Sequence, residues 1–389
     1  MFTRDFSKLG NTLCAIVVAV LAYVGVNAVF LGLSARVERQ ENVYPYKFED
    51  WYRYLLPGLF EHRGARRIML VGESAVRENL LYEEFNKAFP TMHTFQGGLS
   101  LGTIDDLLIS LEYITKVYGR DALPEVMVLG VSPRFVANLP ETRPFIDVLD
   151  GYSPYFTVEE TPAGPRLQPK TQWQGWSSWA RFVLFKQQQR YLGVVAALAR
   201  SYLVATEEPT QEVNPGSMPL ASPLQVLPVS LRRIAQNTLQ NFINRWLSPY
   251  RYHGNPPMKL EGIRHWLHMP KSWWPRVHRW DPDANQQTVD GRLTRLRELV
   301  ANKGIALYVI NLPENLESRQ LYNEKNYQAY LRLVRKNFDN APFIDLQDLL
   351  RPEEFFDIVH ATVPGAQRVT AAVIRFMKDH PRFNSELAS

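Results

Sequence analysis

Cysteine is nearly absent: Cys14 is the single one in 389 residues. An intrachain disulfide is therefore excluded, and so is a cysteine metal cluster. A strong charge of one sign is also missing. Lys and Arg total 44 against 39 Asp and Glu, a net charge of +5. That excess is small for the length and forms no basic stripe of the kind nucleic-acid proteins carry, so no nucleic-acid partner is expected. The chain has no phosphate-cradling Gly-Lys-Ser/Thr loop and no Gly-x-Gly-x-x-Gly after an apolar strand. Both nucleotide-binding signatures are thus excluded. Internal repeats and low-complexity tracts are lacking as well.

What is present is a large apolar content. Hydrophobic residues make up 46% of the chain, enough for a full core in one large domain or two small ones. Between Leu9 and Ala35 no residue is charged, and the run Leu13 to Leu33 is apolar almost throughout. About 20 such residues cross a bilayer. Arg4 and Lys8 precede the run, which favours a cytoplasmic amino terminus and a domain on the extracytoplasmic side. Arg36 and Arg39 follow it closely and weaken that asymmetry. A signal peptide cleaved near Ser34-Ala35 is the competing reading, although its apolar core normally spans about 7–15 residues. Residues 1–35 are accordingly expected to be a short stub and a membrane anchor. Residues 36–65, with Tyr44, Tyr46, Trp51, Tyr52 and Tyr54, are expected to be a juxtamembrane linker.

Beyond the linker, short apolar runs alternate with helical patterns. Strands are expected at Arg67–Gly72, Met92–Gln96 and Glu125–Val131, with helices at Glu78–Phe89 and Thr103–Tyr118. The same rhythm returns late: a helix over Asp290–Asn302, a strand over Ile305–Asn311, a helix over Tyr322–Phe338 and a strand over Pro342–Leu346. A last helix is expected from near Ala366 to Lys378. The alternation predicts an α/β domain with a parallel sheet, made of 66–139 and 286–389. Residues 140–285 break the pattern and read as a long, mostly helical insertion, with helices near 179–203 and 231–246.

Two segments carry candidate chemistry. Arg67-Ile-Met-Leu-Val-Gly-Glu-Ser74 runs apolar, breaks at Gly72 and then offers a hydroxyl. Asp357-Ile-Val-His360 offers a carboxylate and an imidazole three residues apart, just before the final helix. A serine becomes a nucleophile when a base takes its proton and a third group orients that base. Ligands of open parallel sheets bind beyond the carboxyl ends of the strands. Ser74, Gly97-Gly98 and Gly130-x-Ser132 all fall at such ends. Taken alone, Ser74 is also a good helix N-cap, Asp357 a turn former and His360 a loop histidine.

Gly72-Glu-Ser74, Gly98, Gly130-x-Ser132 and Asp357-x-x-His360 together resemble the ordered blocks of the SGNH/GDSL hydrolases. The resemblance covers about 66–138 and 286–378. It implies a three-layer α/β/α fold, Ser74 as nucleophile, His360 as general base, Asp357 as its orienting carboxylate, and Gly98 and Ser132 as oxyanion donors. Glu73 stands where the family has Asp, and Ser132 where it has Asn; Asn138 and Asn311 are alternative donors. Val71-Gly-Glu-Ser74-Ala-Val-Arg77-Glu-Asn79 looks more like the membrane-anchored branch, which includes the alginate O-acetylation proteins and the teichoic-acid D-alanyl transfer protein. That likeness implies an O-acyltransferase acting on a cell-surface or secreted polysaccharide beside a multi-spanning membrane acyltransferase, with no cofactor or metal. Arg77, one turn after Ser74, would then face developing negative charge. A plain esterase and a non-catalytic scaffold of a membrane acylation complex are the alternatives.

Lys259–Trp280 mixes basic residues with Trp266, Trp273, Trp274 and Trp280. A glycan-binding cleft, a membrane-facing surface and ordinary packing all fit that composition. His265 and His268 lack the neighbours a zinc site needs.

Overall fold

The computed structural model describes residues 65–99, 102–137, 146, 156–161, 164–174, 250, 253, 256–268, 274–381 and 383, with scattered residues between 14 and 25. Residues 47–179 and 244–389 form one compact unit, and 1–46 with 180–243 form another. In the latter, the described residues between 14 and 25 are helical and exposed. The rest of the apolar run, residues 36–64 and the helices expected near 179–203 and 231–246 lie outside the described residues. Among the described residues no helix is long and apolar enough to cross a membrane.

The larger unit is built on a five-stranded parallel sheet. Its strands are β1 (Arg66–Glu73), β2 (Met92–Leu99), β3 (Val126–Val131), β6 (Ala306–Asn311) and β7 (Phe343–Asp345), in the spatial order β2-β1-β3-β6-β7. Winding direction reverses between β1 and β3, and such a switch point opens a crevice at the carboxyl edge. The strands are apolar nearly throughout because both faces are covered. Ile68 and Leu70 point into one core with Val128, Tyr308, Val369 and Val373. Met69 and Val71 point into the other with Leu129, Val309, Leu293 and Leu296. Period-two alternation along each strand thus feeds two separate helix layers, giving α/β/α.

One layer holds α1 (Ser74–Asn79), α2 (Tyr82–Ala88) and α10 (Val363–Asp379). The other holds α3 (Ile104–Tyr118), α7 (Gln286–Asn302) and α9 (Glu324–Asn337). Helix α3 opens on a capping box, in which Thr103 and Asp106 satisfy each other's backbone N–H groups. Short helices α4 (Pro133–Ala137) and α8 (Leu316–Arg319) follow β3 and β6.

Three expectations change. The helix expected over 78–89 is two helices, because Leu80 and Leu81 adopt extended backbone. There Gln96 donates to the Leu80 carbonyl and the Leu81 N–H donates to Thr370 Oγ1, so tertiary bonds replace the helical ones. The final helix starts at Val363, with Pro364 in its first turn, where a missing N–H is harmless. Within 140–285 the described residues include an antiparallel hairpin, β4 (Phe156–Glu159) and β5 (Arg166–Pro169), besides helices α5 (Leu260–His268) and α6 (Trp274–Arg279). The hairpin is tied to α3: the Leu167 N–H donates to Glu112, and Lys116 donates to the Leu167 carbonyl.

Glycines seat α1 across the strand ends. A Cβ at Gly72 or Gly130 would fall 2.5 or 2.3 Å from Val76 Cγ2. One at Gly98 would fall 2.9 Å from the Arg77 backbone nitrogen. Gly72 also has φ +149, and the Gly130 carbonyl oxygen lies 2.6 Å from its would-be Cβ. Left-handed backbone and a backbone collision together predict that Gly72→Ala destabilises the protein by about 3 kcal/mol, read as a lowered urea midpoint.

Candidate active site

Ser74 leaves the sheet without any loop. Glu73 ends β1 and is at once the N-cap of α1, so Ser74 is the first helical residue. Its hydroxyl is not a cap: Ser74 Oγ lies 2.9 Å from His360 Nε2, across 286 residues of chain. On the opposite ring edge, His360 Nδ1 lies 2.8 Å from Asp357 Oδ2. A carboxylate at Nδ1 fixes the proton there and leaves Nε2 to accept from the serine O–H. Asp357 Oδ1 accepts from the backbone N–H groups of Val359 and His360, both at 2.9 Å. Burial would raise the Asp357 carboxyl, but the His360 ring and these N–H donors outweigh it and hold it below its ordinary value. The structure therefore brings Ser74, His360 and Asp357 into one hydrogen-bonded chain, with Ser74 and His360 8% and 7% exposed.

The loop that carries the carboxylate and the imidazole is closed on itself. Phe355 and Ala361 form an antiparallel bridge, and the Phe356 N–H donates to the His360 carbonyl at 2.7 Å. Outside contacts pin it further. Met258 N–H donates to the Phe356 carbonyl, and Asn315 N–H to the Ile358 carbonyl.

The other named residues take different places. Ser132 is a correction: its O–H donates to Glu73 Oε1, and its oxygen accepts the Phe135 N–H as the cap of α4. A hydroxyl has one proton, so Ser132 has none left for an oxyanion. The signal was legible, since Ser followed by Pro is a helix-start pattern. Arg77 is a second correction. It is 1% exposed, and its Nε donates to the buried Glu78 carboxylate at 2.9 Å, so its charge is answered inside the protein. Asn311 has both amide N–H bonds engaged, to Tyr327 and Asp345, and its oxygen accepts from Tyr330. It is no donor for this site. Asn138 lies outside the described residues. Gly98 lies on the strand beside β1, opposite Gly72, where α1 packs against it.

Two acids, Glu73 next to Ser74 in the chain and Glu314, are buried and feel one another's charge. Glu73, 1% exposed, pairs with Arg134. Glu314, in the loop after β6, is 2% exposed; one oxygen accepts from Tyr322 and the other has no hydrogen-bond partner among the described residues. Burial, reinforced by the charge on Glu73, pushes Glu314 up to about 8 despite the Tyr322 bond. The Trp-rich stretch divides. Trp274 and His278 are buried, and burial pushes His278 down to about 4, as for a neutral core histidine. Trp266 stays half exposed, and Arg264 pairs with Glu317. Among the described residues no three His, Cys, Asp or Glu side chains converge as a metal site.

Fold and site together define a doubly wound α/β protein with a Ser–His–Asp chain at its switch point. Residues 287–380, which hold Asp357 and His360 but not Ser74, match one protein-family model. No curated protein matches the chain.

Glu314 yields a stability prediction. Its folded pKa exceeds the ordinary 4.5, so between pH 4.5 and about 8 the native state binds more protons than the unfolded one. Stability contributed by the neutral acid is complete below pH 4.5 and falls as pH rises through about 8. Replacing Glu314 with Gln is expected to flatten that decline, leaving the variant more stable than wild type above pH 8 in denaturant titrations.

Proposed function

We propose that the chain is a serine-dependent acyl-transfer enzyme of SGNH/GDSL type, an O-acyltransferase that modifies a polysaccharide through an acyl-Ser74 intermediate. The observation that carries the proposal is the unbroken chain from Ser74 Oγ through His360 to Asp357 at the carboxyl edge of the sheet. As Ser74 Oγ attacks an ester carbonyl carbon, its proton passes to His360 Nε2. The imidazolium is stabilised by Asp357, whose carboxyl is held ionised. Collapse of the tetrahedral species expels the donor's alkoxide, which takes the proton from Nε2. A sugar hydroxyl then attacks the acyl-serine, gives its proton to Nε2, and Ser74 is released with its proton restored.

The oxyanion needs fixed N–H donors. The Ser74 N–H, at the first helical position, has no partner within α1. With Ser132 bonded to Glu73, the donors in this reading are backbone groups, Ser74 and Gly98. Supporting the finer reading is the resemblance of Val71-Gly-Glu-Ser74 to the membrane-anchored branch. From it come an acetyl group as the transferred acyl, a multi-spanning acyltransferase as donor partner, and an extracytoplasmic domain held by one amino-terminal helix.

Incubating the full-length chain with an activated acetyl ester, with and without a glycan acceptor, tests the proposal. Acetylated glycan is expected; release of acetate alone would make the protein an esterase. Substituting Ser74 by Ala is expected to abolish covalent labelling by a fluorophosphonate and to lower turnover by at least about 10³-fold. Asp357→Asn is expected to lower kcat by about 10⁴-fold, because the imidazole loses its tautomer control. Unchanged polymer acylation in the serine variant would leave the protein a scaffold and overturn the catalytic assignment.

A further inference from the structure

The hydrogen bonds around the histidine loop single out a residue that closes the Ser74 motif but has no role assigned to it there. Asn79, fully buried, is the last residue of α1, the six-residue helix that begins with Ser74. Its side-chain N–H donates to the Val359 carbonyl at 2.9 Å, and its side-chain oxygen accepts the Ala361 N–H at 2.8 Å. Val359 and Ala361 are the immediate neighbours of His360. One amide therefore brackets the imidazole's own residue from both sides, across about 280 residues of chain.

We propose that Asn79 is a positioning residue for His360, fixing the imidazole against Ser74 because clamp and nucleophile ride on the same helix. The proposal rests on the acyl-transfer reading above. Its geometry is that of a rigid gauge. Helix rise is about 1.5 Å per residue, so the two ends of α1 stand about 7.5 Å apart at a length the backbone bonds keep constant. Ser74 at one end meets Nε2, and Asn79 at the other holds the backbone that carries the ring. Any drift of the loop along the sheet edge must break the bracket before it can open the serine–histidine bond. Asp357 works from within the loop, bonding the Val359 and His360 N–H groups, and so shapes the loop without tying it to the serine. Asn79 supplies that tie. It is itself anchored, since Thr370 Oγ1 of α10 donates to the Asn79 carbonyl and accepts the Leu81 N–H.

Asparagine suits the position because it offers a donor and an acceptor in one plane, as a carbonyl followed two residues later by an N–H requires. Alanine removes both arms. Aspartate keeps the acceptor for Ala361 and loses the donor to Val359.

The test compares Asn79→Ala and Asn79→Asp with Asn337→Ala in the full-length chain. Asn337 is a buried amide in the other helix layer, bonded to Asp290, Thr294 and the Leu333 carbonyl, and remote from the loop. Rates are referred to folded protein, measured by circular dichroism, with an activated acetyl ester as substrate. A misplacement on the order of 1 Å is enough for about a 100-fold loss, so Asn79→Ala is expected to lower kcat about 100-fold with KM within about twofold. Asn79→Asp, which is nearly isosteric and keeps the fold accessible, is expected to fall between that variant and wild type. Asn337→Ala is expected to lose stability and keep wild-type kcat. Proton NMR gives a readout independent of turnover: the low-field His360 Nδ1–H signal is expected in wild type and Asn337→Ala, and broadened or lost in Asn79→Ala. Wild-type kcat in both Asn79 variants, or an equal kcat loss in Asn337→Ala, would overturn the clamp. A wild-type protein that shows the low-field signal but neither turnover nor fluorophosphonate labelling would sink the acyl-transfer reading. The clamp then stands or falls on the NMR comparison alone.

Discussion

A single imidazole joins the two ends of the sheet-bearing chain. His360 touches Ser74 through one nitrogen and Asp357 through the other, and the serine bond spans 286 residues. Everything that positions those two nitrogens must be rigid to within a fraction of an ångström, because hydrogen bonds weaken steeply with distance and angle. The fold meets that demand by fixing the serine and the imidazole to a common support. Helix α1 leaves β1 with no intervening loop, and the histidine loop is closed by its own bridge and then fastened to α1.

That support depends on empty volume. Gly72, Gly98 and Gly130 lie on three neighbouring strands, and a Cβ at any of them would collide with α1 or its surroundings. Without those side chains the helix sinks onto the carboxyl ends of β1, β2 and β3, and its first residue reaches the crevice where the winding reverses. Helix packing thus accounts for the missing side chain at each of the three.

Buried charge is arranged around Glu73, the residue before the serine, as carefully as shape. Glu73 pairs with Arg134 and is bonded by Ser132, while burial and the charge on Glu73 push Glu314 up to about 8 against the pull of Tyr322 and Arg319. Ser132 belongs to this buried network, its hydroxyl donating to Glu73 and accepting from the Phe135 N–H.

Local pattern determined much of this protein. Apolar runs bounded by glycine, with helical periodicity between them, were enough for the parallel sheet, because burial on both faces leaves its mark residue by residue. The strand-end placement of Ser74 and the Asp357-x-x-His360 spacing were legible for the same reason. Tertiary structure alone decided the rest. It split the helix expected over 78–89, since the bonds that hold Leu80 and Leu81 extended come from Gln96 and Thr370. It turned Asn311 inward to partners that sequence could not pair with it, and buried Arg77 against its neighbour Glu78. It gave Asn79 its two bonds to the histidine loop. Periodicity records which face a residue buries; it carries no record of which distant backbone will stand opposite, and a hydrogen bond needs that partner in place.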